Sequence, residues 1–147
     1  MRKTLVFLAA AAAIVLPARL DANEKEAGRT GTYLKVAVTT DDKYSRDEKT
    51  VFPPDTPAIF AAYRIVADGP AKVTAVFWAD AVEGLEPKTR LLEKVASITE
   101  KGEFMGAIPV QKPANGWPLG TYRVELFVGE TLSKTLVYKV AKSPGAP

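Results

Sequence analysis

The stretch GTYRVELFVGETLSKTLVYKV, residues 120–140, carries the strongest strand pattern in the chain. Apolar and polar side chains alternate on either side of Gly129 and Glu130, which predict a two-residue hairpin turn. The pattern places Tyr122, Val124, Leu126, Val128, Leu136, Tyr138 and Val140 toward a core, with Arg123, Glu125 and Phe127 on the outside. This stretch therefore predicts two antiparallel strands that share one buried face.

Further strand patterns precede this hairpin and are separated by residues that end strands. The predicted strands cover residues 33–39, 59–66, 72–80 and 104–110. The turn Asp68-Gly69-Pro70 divides two of them, because Gly accepts a positive φ and Pro cannot continue a ladder. With about seven short strands in the single domain expected over residues 32–141, the chain is predicted to be an antiparallel β-sandwich.

The segment TRLLEKVASIT, residues 89–99, allows two interpretations. Its apolar residues Leu91, Leu92, Val95 and Ile98 also have helical spacing. A lone helix would need its own packing partner, and the flanking segments all have strand patterns. A strand is therefore favoured, and a helix stays the alternative.

The N-terminus has the pattern of a secretory signal. Arg2 and Lys3 precede an uncharged run of 12 residues, 5–16, which is shorter than the about 20 residues of a membrane span. A signal peptide over residues 1–22 is expected, with cleavage after Ala22 or alternatively after Ala18, followed by a flexible leader over 23–31. Residues 142–147 are expected to form a frayed tail. Periplasmic or secreted localisation follows, without a lipoprotein anchor, since the chain has no Cys, and without stable membrane insertion after cleavage.

The composition restricts the chemistry that is expected. The 147 residues include no His and no Cys, which excludes a Ser-His-Asp triad, a Cys nucleophile and Cys/His metal sites. We therefore expect no enzyme activity, no cofactor and no metal. Removal of residues 1–22 would lower the formal net charge from +3 to +1, and this near-neutral charge argues against nucleic acid as a partner.

The residues Gly120-Thr121-Tyr122-Arg123-Val124 resemble the tyrosine corner of immunoglobulin-like (Ig-like) and fibronectin-III-like sandwiches. In those domains, a Tyr near the start of the penultimate strand donates a hydrogen bond to the backbone of the preceding crossover. Trp78 resembles their core tryptophan. Together with PPDTPAIFA at 53–61 and GWPLGTYRVELFVGE at 116–130, residues 52–141 resemble an uncharacterised class of exported bacterial Ig-like domains. The resemblance implies the architecture and no particular activity.

Candidate binding residues lie in the loop KPANGWPLG, residues 112–120, and on the strand that follows it. Asn115, Trp117 and Pro118 belong to a loop stiffened by Pro and Gly, where an indole is a good binding anchor. In the alternative interpretation, Trp117 covers the open end of the core. Phe127, predicted to point outward, is the fourth candidate.

These observations predict an exported, non-catalytic binding or structural module that contacts a cell-envelope protein. The alternative is a carbohydrate-binding module in which Trp117 forms a stacking platform. The sequence predicts no oligomeric state.

Overall fold

The computed structural model describes residues 31–142. The predictions of a signal peptide, its cleavage site and a leader, and of a tail beyond Lys142, lie outside the described residues and stay predictions. Within residues 31–142 every regular element is a strand, so this part of the chain contains no helix that could cross a membrane.

Eight strands form two sheets. The strands are β1 (Tyr33–Thr40), β2 (Val51–Phe52), β3 (Ala58–Ala67), β4 (Ala71–Val82), β5 (Thr89–Ile98), β6 (Gly102–Gln111), β7 (Gly120–Val128) and β8 (Thr131–Val140). The small sheet has the order β1-β3-β6, and the large sheet has the order β2-β8-β7-β4-β5. All pairings are antiparallel except the short parallel pair β2–β8. The prediction of an all-β, mainly antiparallel chain is confirmed.

The ambiguous segment 89–99 forms strand β5 at the edge of the large sheet. Its register with β4 shifts where Phe77 pairs with Leu92 but Trp78 pairs with Arg90, so that Leu91 is an extra, unpaired residue. A bulge of this kind interrupts the two-residue alternation of a strand. Leu92 and Ile98 pack against the core whereas Leu91 and Val95 are exposed, so the apolar residues of this segment do not share one face as they would in a helix.

The hairpin of β7 and β8 has the predicted form. Val128 pairs with Thr131 across the Gly129–Glu130 turn, and Tyr122 pairs with Tyr138. Tyr122, Val124 and Leu126 are buried, whereas the side chains between them lie on the other face of the sheet and are half-buried.

An aromatic cluster fills the end of the core nearest the 112–120 loop. The rings of Tyr122 and Tyr138 stack with centroids 5.3 Å apart. The Trp117 ring packs edge-on against Tyr122 with centroids 5.7 Å apart, and the Phe52 ring packs edge-on against Tyr138 with centroids 5.8 Å apart. The Tyr122 hydroxyl donates to the Pro118 carbonyl at 2.6 Å, which ties the start of β7 to the loop before it. Burial raises the pKa of Tyr122 to about 12.

Trp78 does not belong to this core, which corrects the assignment of its indole as the core tryptophan. Its chain neighbours Phe77 and Ala79 are fully buried, and Trp78 is half-buried on the opposite face of β4. Side chains alternate along a strand, so only one of two successive residues can face the core. The segment KVTAVFWAD is apolar at successive positions, and the core face is the one of Val73, Ala75, Phe77 and Ala79.

The two stacked tyrosines are expected to respond differently to loss of their hydroxyls. The Tyr138 hydroxyl is buried and has no hydrogen-bond partner within residues 31–142. Tyr138→Phe should therefore leave the free energy of unfolding unchanged or raise it by about 1 kcal/mol, because no bond is lost. Tyr122→Phe should lower it by about 1–2 kcal/mol, because the Pro118 carbonyl loses its donor. Urea unfolding at pH 8 measures both values.

The same pair has an expected dependence on pH. Burial raises the pKa of Tyr138 above its ordinary value, as it does for Tyr122. The contribution of these two tyrosines to the free energy of unfolding is therefore complete below pH about 10, where their hydroxyls are protonated in the unfolded chain too. It is lost as the pH rises toward their pKa values in the folded state. Tyr138→Phe should lose less stability than wild type between pH 8 and pH 11. An equal loss in both proteins would contradict this assignment.

Candidate functional site

A row of one tryptophan and two arginines crosses the outer face of the large sheet, the face turned away from the small sheet. Trp78 on β4 pairs with Arg123 on β7 on one side and with Arg90 on β5 on the other. The next position across the sheet is Val137 on β8, which pairs with Arg123. Because cross-strand partners lie side by side on one face, we call Arg90, Trp78 and Arg123 the Arg–Trp row.

The indole of Trp78 is held in one orientation by two neighbours from β7. Its Nε1 donates a hydrogen bond to Glu125 Oε1 at 2.9 Å. The Arg123 guanidinium carbon lies 4.9 Å from the ring centroid, within the range of a cation–π contact. Arg123 Nη1 also donates to Glu125 Oε2 at 2.7 Å, so the three side chains form a closed set.

Arg123 is fixed in turn by Asp80 at the far end of β4. Arg123 Nε donates to Asp80 Oδ2 at 2.9 Å and Arg123 Nη2 to Asp80 Oδ1 at 3.0 Å, a two-point contact. The hydrogen bonding of Arg123 to the Asp80 carboxylate is the main cause that raises the pKa of Arg123. The two carboxylates compensate the charge of Arg123, which leaves this arginine better placed to hold the indole than to attract an anion.

The other arginine of the row is more accessible. The Arg90 side chain is 53% exposed and forms an ion pair with Glu93 on the same strand. Surface pairs of this kind contribute little stability and exchange readily with water. Arg90 is therefore the cation of the row that can turn toward a ligand.

The surroundings of the row suit a flat ligand. Exposed apolar side chains stand on the same face, among them Val137 on β8, which is 55% exposed. Within residues 31–142 no group of three or more acidic, His or Cys side chains is placed to hold a metal ion. The arrangement offers a rigid aromatic ring beside a mobile cation, which can stack a planar ring and contact an anion attached to it.

The residues singled out from the sequence lie in two separate places. Trp117 is 4% exposed, and its Nε1 donates to the Thr56 carbonyl at 2.9 Å. The structure thus places the indole over the end of the core, the second of the two interpretations. Pro118 accepts the Tyr122 hydrogen bond, and Asn115 is exposed in the turn before Trp117.

Phe127 lies on the outer face as predicted, half-buried and paired with Thr74. It shares this face with the Arg–Trp row but lies toward the end of β7 that is farther from the 112–120 loop. The structure does not bring Phe127 together with Asn115, Trp117 and Pro118.

Sequence reasoning missed Trp78 and Arg90 as site residues. Arg90 pairs with Trp78 only because Leu91 is an extra residue in β5, and a bulge has no clear sequence signature. A weaker signal was present at Arg123 and Glu125, which alternate with buried residues on β7 and were predicted to face outward.

Comparisons with known proteins find similarity in structure but none in sequence. No protein-family model matches the chain, and no curated protein does. The chain is similar to the Pseudomonas fluorescens alkylpurine DNA glycosylase AlkC, in a structure bound to DNA that contains an abasic site analog. The TM-score is 0.51 and the sequence identity 10%, over 78% of this chain and 32% of the glycosylase chain. The similarity shows the fold alone and spans about a third of the glycosylase.

This similarity contradicts three predictions made from the sequence: the absence of enzyme activity, the exclusion of nucleic acid as a partner, and the predicted function. A β fold like this one occurs in an enzyme bound to DNA, so neither the missing His and Cys nor the near-neutral charge justified excluding an enzyme or nucleic acid. Both exclusions were wrong. The prediction of a non-catalytic module that contacts a cell-envelope protein, with a carbohydrate-binding module as the alternative, is contradicted by the same similarity.

Proposed function

We propose that this chain binds nucleic acid and holds unpaired bases against Trp78 on the outer face of the large sheet. The observation that carries the proposal is the Arg–Trp row, in which an oriented indole lies between two arginines. Every base has a flat face that stacks on an aromatic side chain, and a nearby arginine can contact the phosphate attached to it. The similarity to a DNA-bound chain is a second, weaker support.

The charges of the outer face favour single strands over duplex DNA. The outer face carries nearly equal numbers of basic side chains (Lys72, Arg90, Arg123 and Lys139) and acidic ones (Asp80, Glu93 and Glu125). Binding to a duplex depends on neutralising many phosphates, which a nearly balanced face cannot do. Stacking depends on exposed bases, so an unpaired or extruded base is the ligand that this surface fits.

We also propose that the two sheets form an Ig-like sandwich and that the protein is exported. The two-sheet arrangement and the hydrogen bond from Tyr122 to Pro118 support an Ig-like sandwich. The charged and apolar pattern of residues 1–22 supports export to the periplasm or the medium. N-terminal sequencing of the protein isolated from its native host would test the export and the choice between Ala18 and Ala22.

The experiment is a titration with fluorescein-labelled single-stranded oligonucleotides, followed by anisotropy. Trp78→Ala should weaken binding by about tenfold or more, since stacking contributes about 1–3 kcal/mol per base. Trp78→Phe, which keeps a ring, should retain most of the affinity. Tyr44→Ala is the matched control, because Tyr44 is an aromatic residue 79% exposed on the loop after β1.

Two further measurements distinguish base stacking from simple charge attraction. The logarithm of the affinity should fall with the logarithm of salt concentration with a slope no steeper than about −2, as expected for few phosphate contacts. An annealed duplex of the same sequence should bind more weakly than the single strand. Equal affinities of wild type and Trp78→Ala, or no binding at low salt, would refute the proposal.

A further inference from the structure

The two sheets leave an open side where their edge strands β5 and β6 run next to each other. Strand β5 is the last strand of the large sheet and β6 the last of the small sheet. A cavity of about 270 Å³ lies near the connection between them, lined by Tyr63, Ser97, Ile98, Thr99, Glu100, Phe104 and Met105. Its walls are about equally polar and apolar, and Glu100 contributes a carboxylate.

The two halves of β6 are protected to different degrees against pairing with another strand. In the second half, Pro109 has no N–H to donate, and Lys94 Nζ donates to the Pro109 carbonyl at 3.0 Å. Proline and inward-pointing lysine are common means of blocking a sheet edge. The first half, Gly102–Met105, has no such block within the described residues.

The unprotected half also exposes apolar side chains. Phe104 is 37% exposed and Met105 is 54% exposed, and both line the cavity. The ring of Tyr63 closes its inner end, because Gly106 has no side chain to keep that ring away. A free strand edge beside a pocket with apolar side chains at its rim is the combination that binds extended peptides, in which backbone hydrogen bonds give affinity and the pocket gives specificity.

We propose that Gly102–Met105 pairs with an extended peptide of a partner protein, which inserts an aliphatic side chain into the cavity and places a lysine or arginine beside Glu100. Glu100 has no ion-pair partner within residues 31–142, so it is free to receive that cation. This site is independent of the Arg–Trp row.

A second copy of the chain fits this edge less well. Antiparallel pairing about a two-fold axis at the middle of this segment, through Glu103 or Phe104, would bring Glu103 opposite Glu103 or Met105 respectively. Like charges directly opposite each other are destabilising, and a carboxylate gains nothing from a thioether. A peptide that carries a cation complements the negative charge of Glu100 and Glu103, whereas a second copy in these registers does not.

The test uses the isotope-labelled chain, NMR amide shifts and three blocked hexapeptides. The peptide TKVLVT should shift the amides of Gly102–Met105 and of residues 97–100. The same peptide with alternate backbone amides N-methylated should bind at least tenfold more weakly, since it keeps the side chains but loses the strand hydrogen bonds. The peptide TEVLVT should also bind more weakly, and Glu100→Gln should remove that preference.

Three results would overturn the proposal. The first is equal binding of the N-methylated peptide, and the second is no shift at millimolar TKVLVT. The third is a concentration-dependent shift of residues 102–105 without peptide, with a dimer by light scattering, which would make a second copy the occupant. The nucleic-acid titration is unaffected by any of these results.

Discussion

Gly120→Ala is expected to destabilise the domain severely. Gly120 begins β7 with φ at +148°, a conformation that residues with a side chain rarely adopt. A Cβ at this position would overlap the Ala81 carbonyl oxygen and come within 2.6 Å of the Val82 Cα. Both obstacles are backbone atoms of the central strand β4, which cannot turn aside as the end of a side chain can.

The expected loss is about 4 kcal/mol or more, against a total stability of about 5–15 kcal/mol for a domain of this kind. Urea unfolding followed by circular dichroism would measure it. Gly69→Ala is the matched control, because Gly69 has a similar φ of +143° and open space around it. That variant should lose only the conformational part, about 1–2 kcal/mol. Similar losses in the two variants would show that the contact with β4 has no effect.

The strand that begins at Gly120 shows why part of the fold could be predicted from the sequence. The segment Gly120–Val128 has a regular alternation, a turn directly after it and a tyrosine whose hydroxyl reaches back to Pro118. Each of these features depends on residues close together in the chain. Local patterns of this kind determine which residues form strands and which strands share a hairpin.

The arrangement of the strands in two sheets depends on contacts between distant residues, which alternation alone does not specify. The pairing of β4 with both β5 and β7 brings Trp78 between Arg90 and Arg123, which lie far from one another in sequence. Within β4, alternation could not decide between Phe77 and Trp78, because both are large and apolar. The candidate site was therefore not predictable, although the outward direction of Arg123 was.

The binding residue predicted in the loop shows a related difficulty. Proline and glycine around Trp117 indicate a rigid loop, and rigidity is equally suited to a binding anchor and to a lid over the core. The backbone N–H of Trp117 donates to the Pro54 carbonyl and its indole to the Thr56 carbonyl, each at 2.9 Å. Both partners lie in the crossover after β2, more than 60 residues away, so only the tertiary structure distinguishes the two roles.

Trp117→Ala is accordingly expected to be a stability variant, with a loss of about 3–5 kcal/mol in the free energy of unfolding. The indole is 4% exposed and meets the Tyr122 ring edge-on at 5.7 Å, so its removal leaves a cavity in the aromatic cluster. Trp117→Phe should lose less, because it keeps a ring against Tyr122 and gives up only part of the volume and the bond to Thr56. Denaturant unfolding of both variants measures the difference.

Trp78→Ala is the matched control for the second tryptophan. Trp78 is half-buried on the outer face, and its partners Arg123 and Glu125 still bond to each other when the indole is gone. Its loss should stay below about 2 kcal/mol, so the midpoints of the two alanine variants should be well separated. If Trp117→Ala unfolded at the same denaturant concentration as wild type, the indole would not be part of the core, and the loop would again be a candidate binding surface. With the separation expected here, weakened ligand binding by Trp117→Ala would report unfolding, and only Trp78 substitutions can locate the site.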